Sequence, residues 1–118
     1  MTQGNEMIAL RDKLRKFVAE RDWDQFHSPK NLASALSVEA AELLEHFQWL
    51  TEEQSKQLPP EKLAQVRDEM ADVLVYLVRL ADRLDVDLPA AVEVKMAKNA
   101  LKYPADKVRG SMKKYSDY

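Results

Sequence analysis

The sequence predicts an all-α fold, a helical bundle of one domain over residues 1–118, for three reasons. Its two glycines, Gly4 and Gly110, lie near the ends, so the middle of the chain has none of the Asn-Gly or Asp-Gly turns that join antiparallel strands. Four segments, about Asn5–Arg21, Pro29–Thr51, Glu61–Leu84 and Pro89–Leu101, carry apolar residues at helical spacing. Short polar or proline-bearing stretches separate them and hold signals that start helices.

Taken in order, the first segment ends before Ser28-Pro29, where a hydroxyl can cap free backbone N–H groups and proline suits the first helical turn. In the second, Leu32, Leu36, Ala40, Leu43, Phe47 and Leu50 fall within about 40° of one line when each residue advances ~100°. Leu58-Pro59-Pro60-Glu61 ends that helix and starts the third, whose stripe is Leu63, Val66, Met70, Leu74, Leu77, Ala81 and Leu84. Val73, Val75 and Val78 widen this stripe beyond what one neighbour can cover, which predicts packing against further chains. The run Val73–Val78 is rich in strand-favouring β-branched residues, but the long helical period around it decides for helix. Asp87-Leu88-Pro89 opens the fourth segment, and the basic tail 103–118, with no sustained apolar period, is expected to be extended.

Composition narrows the function. A chain of 118 residues, 46 % hydrophobic, buries roughly two-thirds of its unfolded surface and leaves apolar residues for a partner subunit. The absence of cysteine excludes disulfides, thiolate metal sites and cysteine nucleophiles. A net charge of −2 and a pI near 5.7 argue against nucleic acid as a partner, because phosphate neutralisation supplies most non-specific affinity. A local basic patch could still take a small anion. No apolar run reaches membrane-spanning length and no export signal is visible at the N-terminus, so the expected location is cytoplasmic.

Chemistry concentrates on the two middle helices. Glu39 and Glu42 are three apart and project about 60° from each other beside the apolar stripe; Glu69 and Asp72 repeat the spacing on the third helix, with Tyr76 one turn beyond. Such pairs usually form a solvated face, but two that edge buried stripes can meet when the helices pack antiparallel. At ~5 Å each pair would repel by about 3 kcal/mol at an effective dielectric near 20, so a cation should offset it. Hard divalent ions take oxygen ligands, and Mg²⁺ shares its positions between carboxylates, water and phosphates. A di-iron bundle would need Glu-x-x-His pairs, which His27 and His46 do not make.

Lys95, Asn99 and Lys102 form one polar stripe on the fourth segment that could meet phosphate oxygens or a base edge. Among the aromatic and histidine side chains able to stack on a base are Trp23, Phe26, His27, Trp49 and Tyr76. The helical plot puts Trp49 on the Glu42 side and Tyr76 on the Asp72 side.

These residues occur in an ordered set: Arg21–Leu32, Glu39-Ala-Ala-Glu42 leading to His46-Phe-Gln-Trp49, Asp68–Tyr76, Asp87-Leu-Pro89, Lys95 with Asn99, Tyr103-Pro104, and Arg109-Gly-Ser111 to Lys114-Tyr115. The set resembles the all-α nucleoside triphosphate pyrophosphohydrolases of the MazG-like type, most closely their dCTP pyrophosphatase branch, over most of the chain. The resemblance implies cleavage between the α- and β-phosphates to a monophosphate and pyrophosphate. It implies Mg²⁺ held by Glu39, Glu42, Glu69 and Asp72, and a nucleotide pocket lined by Trp23, His27, Trp49, Tyr76, Lys95 and Asn99. Lys102 joins Lys95 as a cation for the departing pyrophosphate. It also implies a homotetramer, a dimer of dimers. Val38 stands where many members have the first of two adjacent glutamates, and Glu45, one turn after Glu42, is a second candidate for orienting water. Two other readings stay open: a pyrophosphatase of broad or dUTP-directed specificity, and a helical self-association module without magnesium dependence.

Overall fold

The computed structural model describes residues 3–111, and every regular element among them is helical. The chain divides into two compact units, Met1–Val86 and Asp87–Tyr118. The first holds α1 (Gln3–Glu20), a 3-10 turn (Asp24–Phe26), α2 (Pro29–Glu45), α3 (Glu52–Ser55) and α4 (Pro60–Arg83); the second holds α5 (Leu88–Lys102) and α6 (Ala105–Val108).

Several boundaries follow from the expected caps. Ser28 Oγ accepts the Asn31 N–H at 3.2 Å, with Pro29 in the first helical turn. Asp87 Oδ1 accepts the Ala90 N–H at 3.1 Å and starts α5 in the same way. Two helix ends use aspartate where glycine is usual: Asp22 (φ 52°) after α1 and Asp85 (φ 56°) after α4 adopt left-handed backbone. At both, the next residue's N–H reaches back to the last turn, Trp23 to Val18 and Val86 to Ala81. After α1 the accompanying apolar contact is Trp23 set edge-on to Phe17, 5.9 Å between centroids.

The second helix is shorter than the periodicity predicts. It stops at Glu45, and residues 46–50 form successive tight turns, with Phe47 N–H on Leu44 O and Leu50 N–H on Phe47 O. Thr51 then takes extended backbone (ψ 165°) and forms a capping box with Gln54, each side chain bonding the other's backbone N–H. A helix cannot run through a residue held in that conformation, and Phe47, Trp49 and Leu50 already lie in the turns between Glu45 and this cap. The tail also differs from the extended expectation: Pro104 starts a single helical turn, α6, and Ser111 N–H closes on Val108 O at 2.8 Å. Lys114 and Tyr115 lie outside the described residues.

Within the first unit, α2 packs along α4 and α1 meets α4 over a shorter length. The buried apolar side chains among the described residues are Val18, Leu32, Val66, Val78 and Ala81. The rest of the α4 stripe remains outside this core: Leu63, Met70, Leu77 and Leu84, each seven apart, are exposed, as is Leu74. No described helix is long and apolar enough to cross a membrane.

Candidate metal centre

The pairing of α2 with α4 brings together three of the four expected acids. One carboxylate oxygen each from Glu39, Glu69 and Asp72 lies within 4.8 Å of the others. Glu39 Oε2 and Glu69 Oε2 are shut off from solvent with no hydrogen-bond partner, whereas Asp72 is exposed and opens the cluster to water. Buried oxygens left unpaired are rare and costly. Burial, followed by the close approach of the Glu69 and Glu42 carboxyls, pushes Glu39 from its ordinary 4.5 up to about 7. Two ionised carboxylates have no proton to share, so Glu39 and Glu69 can bond each other only when one is protonated. A cation satisfies both without that proton. The donor set is all oxygen, the chemistry that Mg²⁺ and similar hard ions select, and the orphaned pair supplies an independent sign that the residues fit such an ion.

Glu42 reaches this group through Glu39, while Glu45 is exposed on the last turn of α2. Tyr76 is half-buried one turn beyond Asp72. Trp49 lies past the end of α2 and is 87 % exposed, so its plotted angle from Glu42 no longer applies. Lys95, Asn99 and Lys102 share α5 in the second unit, all exposed. Trp23 sits in the turn after α1, with the Arg21 guanidinium over the Phe17 ring at 3.6 Å and 6.0 Å from Trp23.

A second polar cluster was not singled out by sequence reasoning. Arg79 on α4 is 3 % exposed. It donates to Asp24 Oδ1 at 2.9 Å, to Asp82 Oδ2 at 3.3 Å and to His27 Nδ1 at 3.3 Å. Arg15 of α1 holds Asp82 through both carboxylate oxygens, and Arg83 reaches Asp24 at 3.4 Å. The signal was present in the sequence: a lone arginine between Val78 and Ala81, on the buried arc, needs acidic partners, and Asp82 stands three residues on.

The Arg15 hydrogen bond holds Asp82 below its ordinary 3.8; burial opposes, and the Arg15, Arg79 and Arg11 charges reinforce the shift. A carboxylate lowered on folding adds stability that is complete above the unfolded value and is lost as pH falls through the folded one. Thermal melts of the protein and Asp82→Asn should therefore differ at neutral pH and converge well below pH 3.8. A constant difference down to pH 2 would contradict the ion pair.

A sequence model of the MazG-like family matches residues 34–118. The dCTP pyrophosphatase 1 of Mus musculus is 51 % identical over 104 residues, covering 86 % of this chain and 61 % of that protein. The Homo sapiens dCTP pyrophosphatase 1 is 48 % identical with the same coverage. This chain thus spans 61 % of the length of these curated relatives. A crystal structure of a pyrophosphatase from Archaeoglobus fulgidus shares the fold with a TM-score of 0.79 and 43 % identity, over 84 % of this chain and 93 % of that one.

Proposed function

The chain belongs to the MazG-like family, and on that premise we propose that it is a magnesium-dependent nucleoside triphosphate pyrophosphohydrolase. The observation that carries the reading is the cluster of Glu39, Glu69 and Asp72 with its two orphaned buried oxygens. The substrate in this reading is dCTP or a modified dCTP. The names of the mammalian relatives support that choice; the cluster itself is indifferent to the base.

Glu39, Glu42, Glu69 and Asp72 would hold Mg²⁺, which when bound supplies positive charge to the phosphate oxygens. The chain's own work is positioning, as in most phosphoryl transfers. A carboxylate of the group, or Glu45 as a second candidate, orients water toward the α-phosphorus and accepts its proton. The bond to the β-phosphate oxygen breaks, and pyrophosphate leaves against Lys95 and Lys102. Trp23, His27, Trp49, Tyr76 and Asn99 take the nucleoside. The exposed line Leu63, Met70, Leu77 and Leu84 supports assembly of copies, read here as a homotetramer of two dimers. The cytoplasm, where nucleotide pools are held, is the setting.

The test is a panel of common ribo- and deoxynucleoside triphosphates at equal concentration, followed by release of pyrophosphate. We expect dCTP to turn over fastest. Equal rates across bases would favour a broad pyrophosphatase, and no turnover of any would leave a helical interaction module.

A further inference from the structure

We propose that Arg79 is a positioning residue that fixes His27 as a neutral ring with its proton on Nε2, so that His27 meets the bound nucleotide as a donor to an acceptor oxygen. The ligand half of this inference rests on the reading of His27 as a nucleotide-pocket residue; the tautomer half rests on geometry alone.

Arginine offers only donors. The Nε of Arg79 stands 3.3 Å from His27 Nδ1, so Nδ1 must present its lone pair and the ring proton must sit on Nε2, at the opposite edge. The guanidinium cannot swing away, because Nη2 is held by Asp24 at 2.9 Å and Nη1 by Asp82 at 3.3 Å, and the side chain is buried. The main chain that carries the ring is anchored too, since the His27 backbone N–H closes the 3-10 turn on Asp24 O at 3.1 Å. The charged groups facing the ring are Arg79 and Arg83 of α4 and Asp24 of the turn. Burial, then Arg79, hold the imidazole below its ordinary 6.5, and Arg83 adds to this while Asp24 opposes it. A ring kept neutral near pH 7 with one fixed N–H distinguishes acceptor from donor atoms on what it touches. A freely titrating histidine would not.

Nitrogen-15 NMR of the imidazoles reads this directly in the intact protein. At pH 7 His27 should show the neutral Nε2–H form, and dCMP should shift that nitrogen. A shift with dCMP but not with inorganic pyrophosphate places the acceptor on the nucleoside, and a shift with both places it on a phosphate; either supports the donor ring. Arg79→Met should mix the tautomers and move the titration midpoint toward 6.5. It should also raise KM for dCTP about tenfold, the worth of roughly one hydrogen bond, with kcat within about twofold. In a His27→Ala background Arg79→Met should add nothing to KM. Arg79→Gln places an amide nitrogen at the position of Nε and should restore the tautomer. A wild-type ring protonated on Nδ1 or charged at pH 7, a tautomer unchanged in Arg79→Met, an Nε2 unmoved by dCMP, or an undiminished KM effect without His27 would each overturn the proposal. If the unaltered protein turns over no nucleotide, the functional reading fails, and the tautomer measurement still decides the role of Arg79.

Discussion

Glu69→Gln should lower nucleotide turnover by roughly a hundredfold or more, and in the same protein the metal-free fold should melt no lower than before. The two effects have one cause. Glu39, Glu69 and Asp72 crowd their oxygens within 4.8 Å, and each ionised pair at such a distance repels by about 3 kcal/mol at an effective dielectric near 20. Replacing one carboxylate by an amide of the same shape removes repulsion and gives the orphaned Glu39 oxygen an N–H donor, so folding gains. The amide cannot supply the charge that a bound cation needs, and a loss of about 3 kcal/mol in transition-state stabilisation is more than a hundredfold in rate. Steady-state kinetics and calorimetry on one preparation would check this. Undiminished activity would remove Glu69 from the site, and a melting temperature that falls with the rate would make its role structural.

Asp82→Ala should destabilise the protein by about 3 kcal/mol, toward the lower end of what breaking a buried ion pair costs. Asp82 is held by Arg15 and by Arg79, and its side chain is 9 % exposed. Its loss leaves the buried Arg79 guanidinium with Asp24 as its remaining acid, which keeps the cost from being larger. Arg79→Met should cost less than Asp82→Ala, because an apolar side chain fills the space while Arg15 and Arg83 continue to serve the two aspartates. Urea unfolding at fixed protein concentration gives the comparison. Equal losses in the two variants, or a negligible one in Asp82→Ala, would show that the network does not anchor α1 and the 3-10 turn to α4.

Much of this was legible in the sequence because helical periodicity acts locally. The prolines at 29, 60 and 89 and the caps Ser28 and Asp87 mark helix starts by chemistry confined to one turn. The i, i+3 acids could be placed beside the apolar stripes before any contact was known, and the pairing of α2 with α4 brings Glu39 to Glu69 and Asp72. What escaped depends on competition or on distance. The stripe through Phe47 and Leu50 continues the helical period, yet α2 stops at Glu45 and tight turns fill the stretch up to the Thr51–Gln54 capping box, which takes Trp49 out of the register. The role of Arg79 is set over distance, because two of its partners, Asp24 and His27, lie more than fifty residues away. Asp22 and Asp85 adopt the left-handed backbone that glycine would have announced.

The most direct measurement is the identity of the products formed from dCTP by the purified protein, resolved by anion exchange, with Mg²⁺ and with excess chelator. Metal-dependent cleavage between the α- and β-phosphates should give dCMP and pyrophosphate in equal amounts, formed only with the metal and roughly a hundredfold or more slowly in a parallel Glu69→Gln reaction. Release of dCDP and inorganic phosphate, or pyrophosphate formed equally in chelator, would contradict it.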